Sequence, residues 1–348
     1  MMNRPIHKIL ALLPNWLGDV AMCTPALRAL HRRFPEADFA VAGRAAACEV
    51  LHGLPWFSAI VPIPARPGLW ELPSLGRRLR PHAADLAVVF PHSFRAALLA
   101  RLTGAQRRLG YDRDGRAVLL TDTVTPRREK GRIEPRYMAQ EYLDLLGPLG
   151  CQDDGVGLEL RADPQVVDAV SRHFTTRRPR IGFAPGGAFG PSKRWLPERF
   201  ARVADGLADR LGAQCILLTG PGEEEIRDAV AVRATTSFVV CDGSNSGIEA
   251  LKAAIAQLDL LICNDSGPRH VAVAFHVPIV CIMGPTSPRY SEGPYERGRV
   301  VRVDVDCGPC QKPICKTDHG CMTRITVDMV IEAALHILGE NAANGSKR

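Results

Sequence analysis

Residues 258–286 constrain the fold more than any other stretch of this chain. They read Leu-Asp-Leu-Leu-Ile-Cys-Asn-Asp-Ser-Gly-Pro-Arg-His-Val-Ala-Val-Ala-Phe-His-Val-Pro-Ile-Val-Cys-Ile-Met-Gly-Pro-Thr. Residues 260–263 and 278–283 are apolar runs of the length of a buried parallel strand. Between them Asp265-Ser266-Gly267-Pro268 has turn chemistry, and a short helix is expected over residues 270–275. Such a unit aims the backbone N–H groups of residues 266–270 outward from the carboxyl end of a sheet. Unpaired donors and the helix dipole favour an anion there, which makes Asp265, Ser266, Gly267 and His270 candidates for holding a phosphate. The plainer alternatives are that Asp265 caps the helix and that His270 is a packed histidine. Gly284-Pro285-Thr286-Ser287 repeats the design one strand later.

Strand and helix patterns alternate through the rest of the chain, which implies parallel α/β sheets. Strands are expected at residues 7–13, 38–42, 59–63 and 85–90, and helices at 20–34, 72–80, 93–102 and 136–149, with Pro25 tolerated early in the first helix. A second series places strands at 180–184, 214–218 and 238–241 and helices at 197–211, 223–233 and 248–257. A length of 348 residues suits two domains. The junction falls in the glycine-rich and polar region 150–179, within which a helix is expected over 162–174. This gives an N-terminal Rossmann-like domain over 1–160, a linker over 161–179 and a C-terminal Rossmann-like domain over 180–348, facing each other across a cleft.

Open α/β sheets bind ligands at the carboxyl ends of their strands. In the first domain that position is Gly18-Asp19, where a carboxylate at the sheet mouth suits a general base, or alternatively caps the helix. In the second domain it includes Pro185-Gly186-Gly187 through Lys193-Arg194-Trp195, and Thr219-Gly220-Pro221-Gly222-Glu223-Glu224. Glycines let backbone approach a ligand, and Lys193 supplies a cationic point charge for phosphate oxygens. The glycine-to-lysine spacing differs from the nucleoside-triphosphate loop pattern. Glu223 or Glu224 suits a ribose diol; an acidic first helical turn complementing the dipole is the plainer alternative.

The net charge of +7 is one-sided: residues 1–150 hold 21 Lys and Arg against 13 Asp and Glu. A basic half implies an acidic partner, whether nucleic acid, an anionic membrane surface or an acidic substrate. No aromatic stacking platform or helix-turn-helix pattern accompanies the arginines, which argues against nucleic acid. No run approaches the ~18 apolar residues of a membrane span, and residues 9–13 are too short for a secretory signal, so a cytoplasmic protein is expected.

The segments Pro14-Asn15-Trp16-Leu17-Gly18-Asp19, Pro185-Gly186-Gly187 through Lys193-Arg194-Trp195, Asn264-Asp265-Ser266-Gly267-Pro268-Arg269-His270 and Gly284-Pro285-Thr286-Ser287-Pro288 resemble the lipopolysaccharide heptosyltransferases, especially the heptosyltransferase II group, in order from about residue 7 to 338. The resemblance implies a GT-B pair of Rossmann-like domains and inverting transfer of heptose from ADP-heptose. The acceptor it implies is the acidic Kdo or heptose inner core of a lipid A precursor, at the inner face of a membrane.

It also implies roles for individual residues. Asp19 is the base, Lys193 contacts the diphosphate, Asp265, Ser266, Gly267 and His270 bind donor, and Glu223 or Glu224 binds ribose. Gly187, Ser192 and Ser246 join the donor set, and Arg66, Arg113, Arg128 and Arg132 are acceptor candidates. Ala188 and Phe189 stand where some members carry hydroxyls, so backbone N–H groups or Ser192 are expected to contact phosphate instead. The chemical step so implied needs no cofactor. A protein side chain as acceptor is the alternative within this fold; a metal-containing nucleic-acid-binding protein is the alternative from another class.

Seven of the eleven cysteines are scattered, whereas Cys307, Cys310, Cys315 and Cys321 form a C-x₂-C-x₄-C-x₅-C group with His319 nearby. Four thiolates so spaced suit a tetrahedral structural zinc or iron ion, with free thiols or a labile disulfide as the alternative.

Overall fold

The computed structural model describes residues 5–241 and 247–345, and the chain divides into two compact units, residues 1–160 and 161–348. In the first, β1 (Lys8–Leu12), α1 (Leu17–Arg33), β2 (Asp38–Gly43), α2 (Ala45–Val50), β3 (Ala59–Pro62), α3 (Leu72–Leu79), β4 (Leu86–Val89), α4 (Phe94–Leu102), β5 (Arg107–Tyr111) and β6 (Asp122–Val124) follow in turn. A small hairpin, β7 (Arg128–Glu129) and β8 (Arg132–Ile133), precedes α5 (Met138–Leu145). The sheet is parallel in the order β3-β2-β1-β4-β5-β6. β1 and β4 run as near-continuous apolar segments because both their faces are covered.

Helix α1 begins three residues earlier than its apolar pattern suggests, so Pro25 lies in its interior. Proline there strips the Ala21 carbonyl of its helical donor. The Thr24 hydroxyl replaces it, donating to Ala21 O at 2.7 Å, and the helix continues. Of the strands missing from the sequence pattern, β5 and β6 carry charge at their starts. Arg107 on β5 is paired with Asp122 on β6 at 2.9 Å, which lets a charged residue begin a sheet-edge strand.

The second unit contains α6 (Pro164–Ser171), β9 (Arg180–Ala184), α7 (Pro197–Leu211), β10 (Gln214–Leu218), α8 (Glu224–Ala231), β11 (Phe238–Cys241), α9 (Gly247–Ile255) and β12 (Leu260–Asn264). Then come α10 (Gly267–Ala274), β13 (Ile279–Ile282), β14 (Gly298–Val301), α11 (Gly320–Thr323) and α12 (Val327–Gly345). Its parallel sheet, β11-β10-β9-β12-β13-β14, repeats the order of the first. Phe183, Trp195, Phe200 and Ile331 lie in the core on one face. Within the stretch expected to be linker, α6 is a capped helix, Asp163 accepting from Gln165 N at 2.8 Å. It packs on α9, so these residues belong with the second unit.

Both sheets therefore have the Rossmann order, in which the chain reverses direction between the first and fourth strands. Loops after those strands diverge and leave a crevice. In the second unit the crevice lies between the ends of β9 and β12.

Candidate active site

Pairing of Ala184 with Cys263 sets the ends of β9 and β12 side by side. The loop 185–195 and the turn 265–268 thus leave the sheet as neighbours. Asn264, fully buried, joins them: its side-chain amide donates to Pro185 O at 2.6 Å and Gly186 O at 3.2 Å, and its oxygen accepts from Trp195 N at 3.2 Å. Trp195 is itself a core residue, 1% exposed, so the loop carrying Lys193 is anchored at both ends.

The Lys193 ammonium donates to Asp265 Oδ2 at 2.7 Å and to Asp265 O at 3.1 Å, and lies 4.9 Å from the centre of the Phe189 ring. Asp265 is 5% exposed and also accepts from Arg269 at 2.9 Å and from the Thr286 hydroxyl at 2.7 Å. Burial pushes its carboxyl up, but the charges of Lys193 and Arg269 and the hydrogen bonds from Lys193 and Thr286 outweigh burial and hold it well below the usual range. Asp265 is thus not a helix cap. Ser266 is the N-cap of α10 and has no side-chain capping bond.

Arg269 is fully buried. Its second carboxylate partner is Glu296 at 2.8 Å, and Ser291 accepts a third bond at 3.0 Å. Helix α10 starts at Gly267, earlier than expected. Since Pro268 has no N–H, the outward donors of this turn are the amides of Ser266 and Gly267. His270 is 4% exposed, and its Nδ1 has no hydrogen-bond partner among the described residues. Burial first, then Arg269 and Lys193, lower its pKa to about 3, so the ring is neutral.

Glu223 stitches two glycine loops together, accepting from Gly187 N and Gly220 N, both at 2.9 Å. A Cβ at Gly186 would overlap that carboxylate, so any larger residue there displaces Glu223 from its bonds. Glu224, one residue on, opens α8 and accepts from Gly222 N at 3.1 Å. The Ser192 hydroxyl, expected to contact phosphate, is engaged by the chain itself. The residue is 2% exposed, and its Oγ donates to Lys312 O at 2.6 Å. Ser246 lies outside the described residues.

In the first unit Asp19 sits in the first turn of α1. The N-cap is Trp16, and Asp19 is the acidic residue of the first turn. The carboxylate lies close enough to Cys23 and to Tyr142 of α5 to raise both, secondarily to burial. The four arginine candidates do not form one group. Arg66 lines a cavity of about 130 Å³ with Asn15, Arg44 and Arg95 at the carboxyl ends of β1 to β4. Arg113 bonds Glu141 at 3.1 Å and His92 at 3.0 Å, while Arg128 and Arg132 are exposed on the β7–β8 hairpin.

Cys307, Cys310, Cys315 and Cys321 line one cavity of about 80 Å³ with His319. None of the eleven cysteines is in a disulfide. The Thr317 hydroxyl and N–H hold the Cys315 thiol below its ordinary range, whereas burial and the three neighbouring thiols raise Cys321. The donor set suits zinc or iron. Among the described residues, however, no group of three or more His, Cys, Asp or Glu side chains is arranged to hold an ion.

The sequence pattern of glycosyltransferase family 9 (heptosyltransferase) matches residues 72–320. Lipopolysaccharide heptosyltransferase 2 of Escherichia coli (strain K12) is 30% identical over 311 residues, which cover 85% of this chain and 88% of the relative. The chain belongs to glycosyltransferase family 9. Among solved structures, this family 9 glycosyltransferase is similar to the ADP-heptose lps heptosyltransferase II of E. coli, with a TM-score of 0.79 and 26% identity over 96% of this chain and 99% of that one. It is also similar to a glycosyl transferase family 9 protein of Veillonella parvula DSM 2008, with a TM-score of 0.84 and 25% identity over 96% and 98%. The GT-B expectation of two Rossmann-like units holds for this family 9 enzyme.

The residues that sequence reasoning missed are Asn264, Thr286 and Glu296. Asn264 precedes Asp265 directly and Thr286 stands in a noted glycine turn, so adjacency was their signal. Glu296 had none, because its role depends on a buried Arg269.

Proposed function

We propose that this enzyme transfers heptose from ADP-heptose to the inner core, Kdo or heptose, of a lipopolysaccharide precursor, with inversion at the anomeric carbon. The observation that carries the reading is the Lys193–Asp265 pair at the switch point of the second sheet, in a family 9 chain whose relative in E. coli is a lipopolysaccharide heptosyltransferase. Lys193 uses two of its three N–H donors on Asp265, which leaves one for a diphosphate oxygen. The amides of Ser266 and Gly267 add further donors at the α10 terminus. Glu223 and Glu224, which accept backbone N–H bonds from Gly187 and Gly220 and from Gly222 respectively, are the two candidates for the ribose.

In the reaction Asp19 takes the proton of an acceptor hydroxyl as its oxygen bonds to the anomeric carbon. The bond from that carbon to the diphosphate oxygen breaks, and ADP leaves with the electron pair. Lys193 and the two amides meet the charge that grows on it. The reading requires the first unit to present Asp19 to a donor held by the second.

An anionic membrane surface is the proposed setting for the acceptor. Support comes from the connection between β3 and α3, where Leu69 and Trp70 are 61% and 85% exposed. Exposed Arg66, Arg77 and Arg78 flank them. An aromatic tip beside cationic side chains suits a lipid headgroup layer. Among the described residues no helix is long and apolar enough to cross a membrane.

Structural zinc or iron at Cys307, Cys310, Cys315 and Cys321 belongs to the same proposal and requires the loop to draw its sulfurs together. Metal analysis of anaerobically purified protein should find one ion per chain; none would contradict it. The function itself is tested by incubating the protein with ADP-heptose and core-truncated lipopolysaccharide and weighing the product. One added heptose per acceptor, with matching release of ADP, is expected. An acceptor of unchanged mass across Kdo-terminated and heptose-terminated substrates would refute the reading.

A further inference from the structure

Every polar group of Ser192, the residue before the donor-side lysine, is bound by the cysteine-rich loop. Its N–H donates to Pro313 O at 3.1 Å, its hydroxyl donates to Lys312 O at 2.6 Å, and its carbonyl accepts from His319 Nε2 at 2.7 Å. Because a carbonyl can only accept, that contact fixes Nε2 as the protonated nitrogen. Gly190, two residues earlier, is packed so tightly that a Cβ would overlap the Pro313 carbonyl, and its φ of 152° suits glycine. The same loop holds a second strand-end turn of the unit. Gln311 N donates to Pro285 O at 2.9 Å, and a Cβ at Gly284 would overlap Met322 Sδ and approach Cys321 Sγ to 3.0 Å.

We infer that the loop 307–321 is a brace for the donor site, and that His319 and Ser192 are positioning residues which set where the Lys193 ammonium stands. The backbone bonds inside the turn itself, Lys193 N to Gly190 O at 3.2 Å and Arg194 N to Pro191 O at 3.0 Å, shape it without tying it to the sheet. Loop and turn meet through three hydrogen bonds at one residue, so a change in the loop moves the lysine. Residues 311–314 of the brace are exposed and have no core of their own. Their shape depends on the neighbouring segment where the four thiols and His319 surround one cavity. This assigns the cysteine group a task in the reaction that is separate from what it binds: it keeps the diphosphate-binding turn in register with Asp265 and Thr286.

The inference rests on the reading that Lys193 binds the donor diphosphate, and the experiment separates the two. ADP affinity is measured calorimetrically for the wild-type chain and for His319→Ala, His319→Gln and Ser192→Ala, alongside donor KM, kcat and thermal unfolding. His319→Ala and Ser192→Ala each remove one hydrogen bond and should weaken ADP and raise donor KM by about tenfold. Acceptor KM should change less than about threefold, whereas kcat should fall as well, because Lys193 also meets the charge that grows on the departing ADP. His319→Gln retains an N–H donor and should recover most of the affinity. ADP binding by both alanine variants equal to that of a wild type that binds ADP would overturn the brace and leave the donor reading standing. A wild type that does not bind ADP would remove the donor reading and the inference with it.

Discussion

Replacing Asp265 with asparagine should uncouple the buried charge cluster while preserving its volume. The carboxylate receives bonds from Lys193, Arg269 and Thr286, and asparagine offers one acceptor oxygen together with an NH₂ that faces donors. Lys193 is 14% exposed and can turn toward water. Arg269 is fully buried and is left with Glu296 as its one carboxylate partner, beside the Ser291 hydroxyl. Burial already raises the Glu296 carboxyl, so this partner is a weakened one at low pH. Breaking a buried pair costs about 3 to 5 kcal/mol because a charge stays behind without compensation. For a unit of this size that corresponds to a drop of ~6–20 °C in melting temperature.

Differential scanning calorimetry is the assay, with chemical denaturation to give free energy directly. Adding Arg269→Met should recover part of the loss, since the uncompensated charge is then gone. A single variant destabilised by less than about 1 kcal/mol, or a double variant whose cost equals the sum of both single changes, would refute the reasoning.

Other consequences concern the same crevice. Glu223→Gln keeps one acceptor but turns an NH₂ toward the amide of Gly187 or Gly220, and should cost about 1–3 kcal/mol of stability; Gly186→Ala, whose Cβ overlaps the Glu223 carboxylate, should reproduce that loss in a denaturant melt. His270 is held neutral with a pKa lowered to about 3, while an unfolded histidine takes a proton near pH 6.5. Stability is therefore complete above about pH 6.5 and falls by ~1.4 kcal/mol per pH unit as the pH drops toward 3. His270→Asn should flatten that slope in melts between pH 6.5 and 4. The Asp265 contribution is lost only below the ordinary carboxylate pKa, so the two windows are separable.

The architecture was legible because both sheets are built from buried apolar runs of 4 to 6 residues separated by glycine and proline turns, and such runs carry strand length and polarity on their face. β5 was not legible, because Arg107 and Arg108 open it and their partners, Asp122 and the Leu119 carbonyl, lie on segments distant in sequence. At the site, the turn chemistry of Asp265–His270 marked the loop that follows β12, and there Asp265 pairs with Lys193. What the side chains do there depended on pairings between loops. Ser192 offers a hydroxyl in the sequence, and only the fold reveals that Lys312 has already taken it. Asp265 has the profile of a helix cap, and only the burial of Arg269 makes it the centre of an ion cluster. Pattern locates elements and turns, whereas satisfaction of buried polar groups decides which side chains remain free for a ligand.

The central claim is that one carboxylate, Asp19, activates the acceptor while the second unit holds the activated sugar. Steady-state transfer and ADP calorimetry on Asp19→Asn test it most directly. The account predicts kcat lower by about 10² to 10⁴ with ADP affinity unchanged; turnover equal to that of the wild type would contradict it.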